Sequence, residues 1–493
     1  MVVEIQYQPV RSRIITPLPP EVETVIFQAL RFQPEGFFYA ASFQDHQWDG
    51  FKECYSLKTH AFRSGLLYTV WNLLKNMKYE VIVHHLPILQ LVKPIESISY
   101  LREWQGTAIQ QSLPYVRFAI WAPPRSGKTI FVCGYVDCLR LFPAVYFCER
   151  LEIAQQTIEK FQKFVPDIPV GMVGNGEADI KFDGVTVITV QSAMAAYEKP
   201  HKLETDDEEE LPPPNPVKIE IRKVIESAKI VIYDEFHHVG HSSGQFVMGK
   251  VRSAQTIVGL SATPWRDDGA GLLLERVIGP IAYRVTYSYL IERGLLLRPF
   301  IYMYKLPKLE NFDDQEAAYQ TVYKKYIVEN QFRNETIARV AREFVQLGWS
   351  NVILVDYIRH GEILKKLMPG AVLVTGRDTK KVRKIVMDTL NGGCINPVIT
   401  TLYGEGVDIM PLNAVTIAGG GMSSIETFQR LRSITPGPGK DRGVVVDFMD
   451  NVHFLRAHSN ARKKFYGTEP EFRLFDVDVR KMTIDQVRNG TAS

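Results

Sequence analysis

The sequence predicts an α/β fold: two tandem parallel-sheet lobes preceded by a small α+β module. Three observations predict it. Short, nearly unbroken apolar runs alternate with helical segments between residues 118 and 262. The same texture recurs between 351 and 448. Ahead of both, residues 1–95 show one-sided alternation and an aromatic cluster instead. Runs without polar alternation are strands buried on both faces, which is the mark of a parallel sheet covered by helices.

The elements follow in chain order. VVEIQYQPV alternates and reads as a strand, Glu21 to Arg31 as a helix, and Trp48-Asp49-Gly50 as a turn inside the cluster Phe37, Phe38, Tyr39, Phe43, Trp48 and Phe51. Ser64 to Met77 reads as a helix and YEVIVHH as the closing strand. The first lobe takes its strands from FAIWA (118–122), AVYFC (144–148), VTVITV (185–190), KIVIYD (229–234) and TIVGLSA (256–262). The second takes them from NVILVDY (351–357), AVLVTG (371–376), PVITTL (397–402), AVTIAG (414–419) and GVVVDF (443–448). The expected boundaries are a module at 1–95, lobes at 96–296 and 297–470, and a tail at 471–493, with the joint near Gly294–Lys308.

With 45% apolar and 23% charged residues in 493, packed cores are ensured and wholesale disorder is excluded. The five cysteines form no C-x-x-C pair, so neither a zinc ribbon nor a disulfide framework is indicated, and a reducing compartment fits. MVVEIQYQPVRSR has no apolar stretch of signal-peptide length, and no run reaches the ~18 apolar residues of a membrane span. A soluble intracellular protein is expected.

The chemistry enters at Ala122-Pro-Pro-Arg-Ser-Gly-Lys-Thr129, between the strand FAIW and the apolar segment IFVCGYVDCL. A glycine-containing loop there wraps phosphate oxygens with backbone N–H groups, and the helix start adds its dipole. Pro124, Arg125, Ser126 and Gly127 form the loop, Lys128 reaches the β- and γ-phosphates, and Thr129 ligates Mg²⁺. Ala122 replaces the usual first glycine. About 100 residues on, KIVIYDEFHH ends a second buried strand in Asp234 and Glu235. At a sheet's carboxyl edge this pair fits Mg²⁺ binding by Asp234 and orientation of the attacking water by Glu235. His237 is placed to link this site to a neighbouring domain. Adjacent His237 and His238 are poorly spaced for a metal.

The P-loop, D-E-F-H and LSATPWR (260–266) together resemble helicase superfamily 2, over nearly the whole chain from about residue 100. The resemblance implies RecA-like lobes of the P-loop NTPase class, with ATP and Mg²⁺ in the crevice between them and hydrolysis coupled to movement along nucleic acid. It implies that Ser261, Ala262 and Thr263 couple nucleotide state to strand binding. LREWQ (101–105) looks like the adenine-sensing segment, with Gln105 in the sensing position. FCERLEIAQQ (147–156) and VITVQSAM (187–194) resemble motifs that grip a nucleic-acid backbone, with Arg150 and Gln191 as candidates. TTLYGEGVDI (400–409) is similar to the motif whose Gly406 and Asp408 line the cleft. The WDG turn with FRSGLL (62–67) looks like the substrate module of UvsW-type phage helicases, which are akin to XPB-like and RecG-like repair enzymes. That narrower likeness implies action on branched DNA by unwinding or reannealing, in recombination, repair or replication restart. It also implies a bacterial host cytoplasm, a monomer, and single-strand-binding or recombination proteins as companions.

The last superfamily motif departs from its pattern. Q-x-x-G-R-x-x-R supplies arginine fingers. Counting from Gln429, the finger positions fall on Ser433 and Pro436. A one-residue deletion would make Arg432 the finger, and Arg430 is the other candidate; Lys440 or Arg442 could replace the last arginine. Either the finger has shifted or hydrolysis is slow, and the intact P-loop and acidic pair favour the shift. An RNA-directed motor and a weakly hydrolysing remodeller stay open as alternatives. Arg377, Lys380, Lys381, Arg383 and Lys384 form a basic group that reads as a solvated face or as phosphate contacts, and Trp48 is a candidate for base stacking.

The charge balance looks neutral, with 58 Lys+Arg against 55 Asp+Glu. Residues 201–216, HKLETDDEEELPPPNP, hold six acids, one lysine and four prolines, so they read as a solvated insertion. Removing its net −5 from +3 leaves +8 on the rest of the chain. The body is therefore basic, as nucleic-acid binding asks. The insertion is a linker or a competitor for the basic surface, and the linker is the simpler reading.

Overall fold

The computed structural model describes the chain except residues 1, 35–36, 198–214, 241, 263–270, 308–317, 392–395, 403–411, 422–435, 437–439 and 479–493. It divides into two compact units, Met1–Val285 and Thr286–Ser493.

The first unit begins with a five-stranded sheet in the order Tyr55–Ser56, Ala61–Arg63, Arg11–Ile14, Val2–Gln6, Glu80–His84. Its strands alternate: Val3 and Ile5 are buried and their neighbours are not. One face therefore packs on Ile26, Leu67, Val70 and Leu74 from the two helices Pro20–Ala29 and Leu67–Asn76, and on Leu30 just past the first. An eight-stranded sheet follows, ordered Glu177–Ala178, Val170–Gly174, Val185–Thr189, Ala144–Cys148, Ile230–Asp234, Thr256–Ser261, Arg117–Trp121, Ile281–Arg284. All its pairings are parallel except the outermost, Val170–Gly174 with Glu177–Ala178. Every residue of Ala144–Cys148 and Val185–Thr189 is buried, as unbroken apolar runs require. Helix Lys128–Leu139 is apolar on all sides and is buried from Phe131 to Leu139.

The amino-terminal module and the first lobe are thus one compact unit rather than two. Tyr68 stitches the seam, donating to the Pro114 carbonyl at 3.1 Å and accepting from the Val116 N–H at 2.9 Å.

The second unit carries a seven-stranded, wholly parallel sheet. Its order is Val372–Val374, Val398–Thr400, Asn351–Leu354, Ala414–Ile417, Arg442–Met449, Arg298–Lys305, Arg473–Asp478. Two boundaries differ from expectation. Helix Tyr287–Glu292 belongs here, because Glu469 accepts from the Ser288 N–H and hydroxyl at 2.9 and 2.8 Å. Residues expected as a tail from 471 instead supply the edge strand Arg473–Asp478. Two fully buried arginines order the strand ends. Arg462 donates twice to Asp447 at 2.9 Å and once to the Gly421 carbonyl at 2.7 Å. Arg333 donates to Asp450 at 2.5 Å and to the Ala418 carbonyl at 3.0 Å. No helix among the described residues is long and apolar enough to cross a membrane.

Candidate nucleotide site

The central strands of the first lobe bring three motifs to one sheet edge. Arg117–Trp121, Thr256–Ser261 and Ile230–Asp234 are neighbours, and each leads at its carboxyl end into one motif. The loop after Trp121 turns through Arg125 and Gly127 at positive φ, 63° and 99°. Gly127 is needed there twice over: its φ disfavours a side chain, and a Cβ would stand 2.7 Å from the Gln105 amide nitrogen. Lys128 then starts the helix.

Gln105 is buried and faces the loop. Its amide nitrogen donates to the Gly127 carbonyl at 2.9 Å and its oxygen accepts from the Arg102 N–H at 2.7 Å. Arg102 donates to the Ser126 carbonyl at 3.0 Å. The expected adenine sensor is therefore also a brace under the phosphate loop. The Ser126 hydroxyl is buried with no hydrogen-bond partner. A buried polar atom left open inside such a loop fits a ligand rich in acceptor oxygens.

Lys128 donates to Glu235 at 2.9 Å, with the two side chains 11% and 16% exposed. The Glu235 backbone is left-handed, φ 46°, which turns its carboxylate out of the strand line toward Lys128 and Ser261. Asp234 accepts from the Tyr146 hydroxyl at 2.8 Å and from the Glu235 N–H at 3.0 Å. Burial and the neighbouring Glu235 charge push the Asp234 carboxyl up, and Lys128 opposes them. Ser261 donates to the far oxygen of Glu235 at 3.3 Å, and its hydroxyl lies 3.0 Å from His237 Nδ1. Lys128, Glu235, Ser261 and His237 therefore form one connected polar chain. The Ala262 carbonyl, next along the chain, accepts from Trp121 Nε1 at 2.9 Å. His237 is buried within this chain.

The donor set suits a nucleoside triphosphate. The loop 124–127 and Lys128 would hold its phosphates, and Thr129 with Asp234 would hold Mg²⁺. Mg²⁺ there would neutralise charge developing on phosphate oxygens. The chain's own part is to hold Lys128 and Glu235 apart from solvent and to tie Glu235 to Ser261.

Other expected residues lie elsewhere. Arg150 and Gln191 are exposed, at the carboxyl ends of the adjacent strands Ala144–Cys148 and Val185–Thr189. Arg377 and Lys381 are exposed in the second unit, and Lys380 opens the helix Lys380–Asn391. Trp48 is half-buried and spends its N–H on the Phe51 carbonyl at 2.5 Å, while Phe62 is core. Thr263, Gly406, Asp408, Gln429, Arg430 and Arg432 lie outside the described residues. Of the suggested finger substitutes, Arg442 is held by Asp441 at 2.5–3.1 Å and Lys440 donates to the Leu412 carbonyl.

Sequence reading missed Tyr146 and Arg102. Tyr146 is one tyrosine in an apolar strand, and only the pairing Ile232↔Tyr146 reveals that it reaches Asp234. Arg102 lies within LREWQ (101–105), where nothing in the sequence separates it from a surface arginine.

Residues 98–266 match the protein family described as the res subunit of type III restriction enzymes, a span that contains this whole site. The DNA 3'-5' translocase XPB2 of Sulfurisphaera tokodaii is 23% identical over 397 residues, which cover 72% of this chain and 82% of that protein. Among solved structures, T4 UvsW aligns over 97% of this chain and 100% of its own, at 16% identity and a TM-score of 0.44. Dbp5 of S. cerevisiae bound to RNA and ADP BeF3 aligns over 80% of this chain and 94% of its own, at 15% identity and a TM-score of 0.51. That likeness is one of fold.

Proposed function

We propose that this chain is a superfamily 2 helicase, an ATP-driven DNA translocase acting on branched or forked DNA. The observation that carries the ATPase part is the polar chain Lys128–Glu235–Ser261–His237. Lys128 withdraws charge from the γ-phosphate, Glu235 orients water, and Ser261 with His237 senses whether Glu235 is engaged. Gln105 reports through the Gly127 carbonyl. Arg432 or Arg430 completes the site as the finger, and Gly406, Asp408 and Gln429 line it. Arg150, Gln191, Arg377, Lys380 and Lys381 hold phosphates without reading bases.

The DNA preference is supported by the similarity to XPB2, and the fork preference by the WDG and FRSGLL segments of the amino-terminal module. The outcome is unwinding, branch migration or annealing in recombination, repair or replication restart. The test is ATP turnover with forked DNA, plain duplex, single-stranded DNA and RNA. Forked DNA should stimulate most, and Lys128→Ala should abolish the stimulation. A clear RNA preference would overturn the DNA assignment, and turnover indifferent to every nucleic acid would overturn the translocase.

A further inference from the structure

A cleft of about 620 Å³ lies away from the P-loop, where the amino-terminal sheet meets helix Gly271–Ile278. Four cations line it, Arg11, Lys58, Arg63 and Arg276, against one carboxylate, Glu53. Among the described residues, none of the four cations has an ion-pair partner. Arg117, buried beside them, donates to the carbonyls of Pro9 and Val277, and Arg276 donates to the Gln245 side-chain oxygen. Neutral acceptors, with the Cys54 sulfur among them for Arg276, position these guanidinium groups without an ion pair.

The FRSGLL segment builds this arrangement. Phe62, Leu66 and Leu67 anchor it in the module's core. The Ser64 hydroxyl donates to the Gln8 carbonyl at 2.5 Å and accepts from Ser12 at 3.0 Å. Gly65 lies so close to helix Gly271–Ile278 that a Cβ would stand 2.1 Å from the Glu275 carbonyl oxygen. Arg63 is thereby fixed beside Arg276 at the seam. Burial first, and then the charges of Arg11, Arg276 and Arg117, push the Arg63 guanidinium down from its usual value. Gathering four cations against a single carboxylate is unfavourable, and an anion relieves it. Guanidinium forks match the oxygens of a phosphate.

We propose that this cleft is a phosphate-binding site for a nucleic-acid backbone, formed jointly by the amino-terminal module and the first lobe. It rests on the translocase reading and adds a contact that no helicase motif supplies. Arg11 and Lys58 are exposed at its mouth, so a polymer can enter from the surface. Arg276 leads inward: Gln245, its acceptor, donates to the Gly240 carbonyl at 2.7 Å. Gly240 ends the turn Phe236–Gly240 that directly follows the acidic pair. A strand held here is two side chains from the nucleotide motif.

The experiment uses the full chain and a labelled fork, with anisotropy measured from 50 to 200 mM salt without nucleotide. Arg63→Ala and the double variant Arg11→Ala/Lys58→Ala should each weaken binding about tenfold at low salt. Each lost contact should flatten the log–log salt slope by about 0.9. Arg63→Lys should keep most of the slope, and DNA-free ATPase should not change. A pyrophosphate competition arm separates the two sources of phosphate. Variants that lose pyrophosphate competition yet bind the fork as wild type would assign the cleft to a free phosphate and overturn the proposal. Folded variants, checked by urea unfolding, with unchanged affinity and slope would also overturn it. Those outcomes leave the translocase reading standing, whereas a wild-type chain that binds no nucleic acid would sink both.

Discussion

Glu235 holds the Lys128 ammonium at 2.9 Å, so a phosphate that takes this ammonium competes with the carboxylate. A double-mutant cycle on Lys128→Met and Glu235→Gln measures the pair. Opposite unit charges at this distance attract by about 1.4 kcal/mol at the dielectric of water and about 6 kcal/mol at an effective value near 20. The side chains keep 11% and 16% exposure, so the coupling should fall between these limits, at about 3 kcal/mol. Each single variant leaves one charge without its partner, and the double variant removes both, so the double should cost less than the singles combined. The assay is urea unfolding of the four proteins at low salt, without nucleotide or Mg²⁺. The same logic predicts tighter ATP binding by Glu235→Gln, tenfold or more, because Lys128 loses its competitor; turnover should collapse. A coupling below about 0.5 kcal/mol would refute the reasoning, because it is within the error of independent sites. Glu235→Gln binding ATP no more tightly than wild type would refute it as well.

Three further outcomes follow from single side chains. Burial, then the Glu235 charge, raise the Asp234 carboxyl from 3.8 to about 6, so the native state keeps its proton longer than the unfolded chain. That contribution to stability is full below the ordinary carboxylate range and is lost as pH rises through about 6; Asp234→Asn should flatten the limb of the urea midpoint between about pH 4 and 6, and an unaltered limb counts against it. Gln105→Ala leaves the Arg102 N–H and the Gly127 carbonyl without its amide, at a cost of about 1–3 kcal/mol, and should weaken ATP binding about tenfold; unchanged nucleotide affinity would rule out the brace. Arg462→Ala strands the fully buried Asp447 and should destabilise the unit Thr286–Ser493 by about 3–5 kcal/mol, read as an earlier urea transition; a shift under about 1 kcal/mol would show that Asp447 finds another partner.

The elements that the sequence made legible share one property: their pattern is local. FAIWA, AVYFC, VTVITV, KIVIYD and TIVGLSA are all strands, because a doubly covered strand must be apolar throughout and the run announces itself. The strands Val170–Gly174, Ile281–Arg284 and Arg473–Asp478 escaped notice. The first carries two glycines, the other two stand at sheet edges with half-exposed, mixed residues, and neither pattern differs from a loop. Arg298–Lys305 was hidden for another reason: it falls where the joint between lobes was expected.

The sequence by itself determined the nucleotide chemistry. A Gly-Lys-Thr loop between strand and helix, and an Asp-Glu pair at a strand end, depend on neighbours within a few residues. Only the tertiary structure decided what surrounds that chemistry. It put Tyr146 against Asp234, 88 positions apart, and Ser261 against Glu235. It merged the amino-terminal module with the first lobe, and it gathered Arg11, Arg63 and Arg276 into one cleft. The physical reason is range. Dihedral preference and burial pattern act along the chain, whereas hydrogen-bond partners and charge clusters are set by which strands lie side by side, and that order is fixed only when the whole core packs.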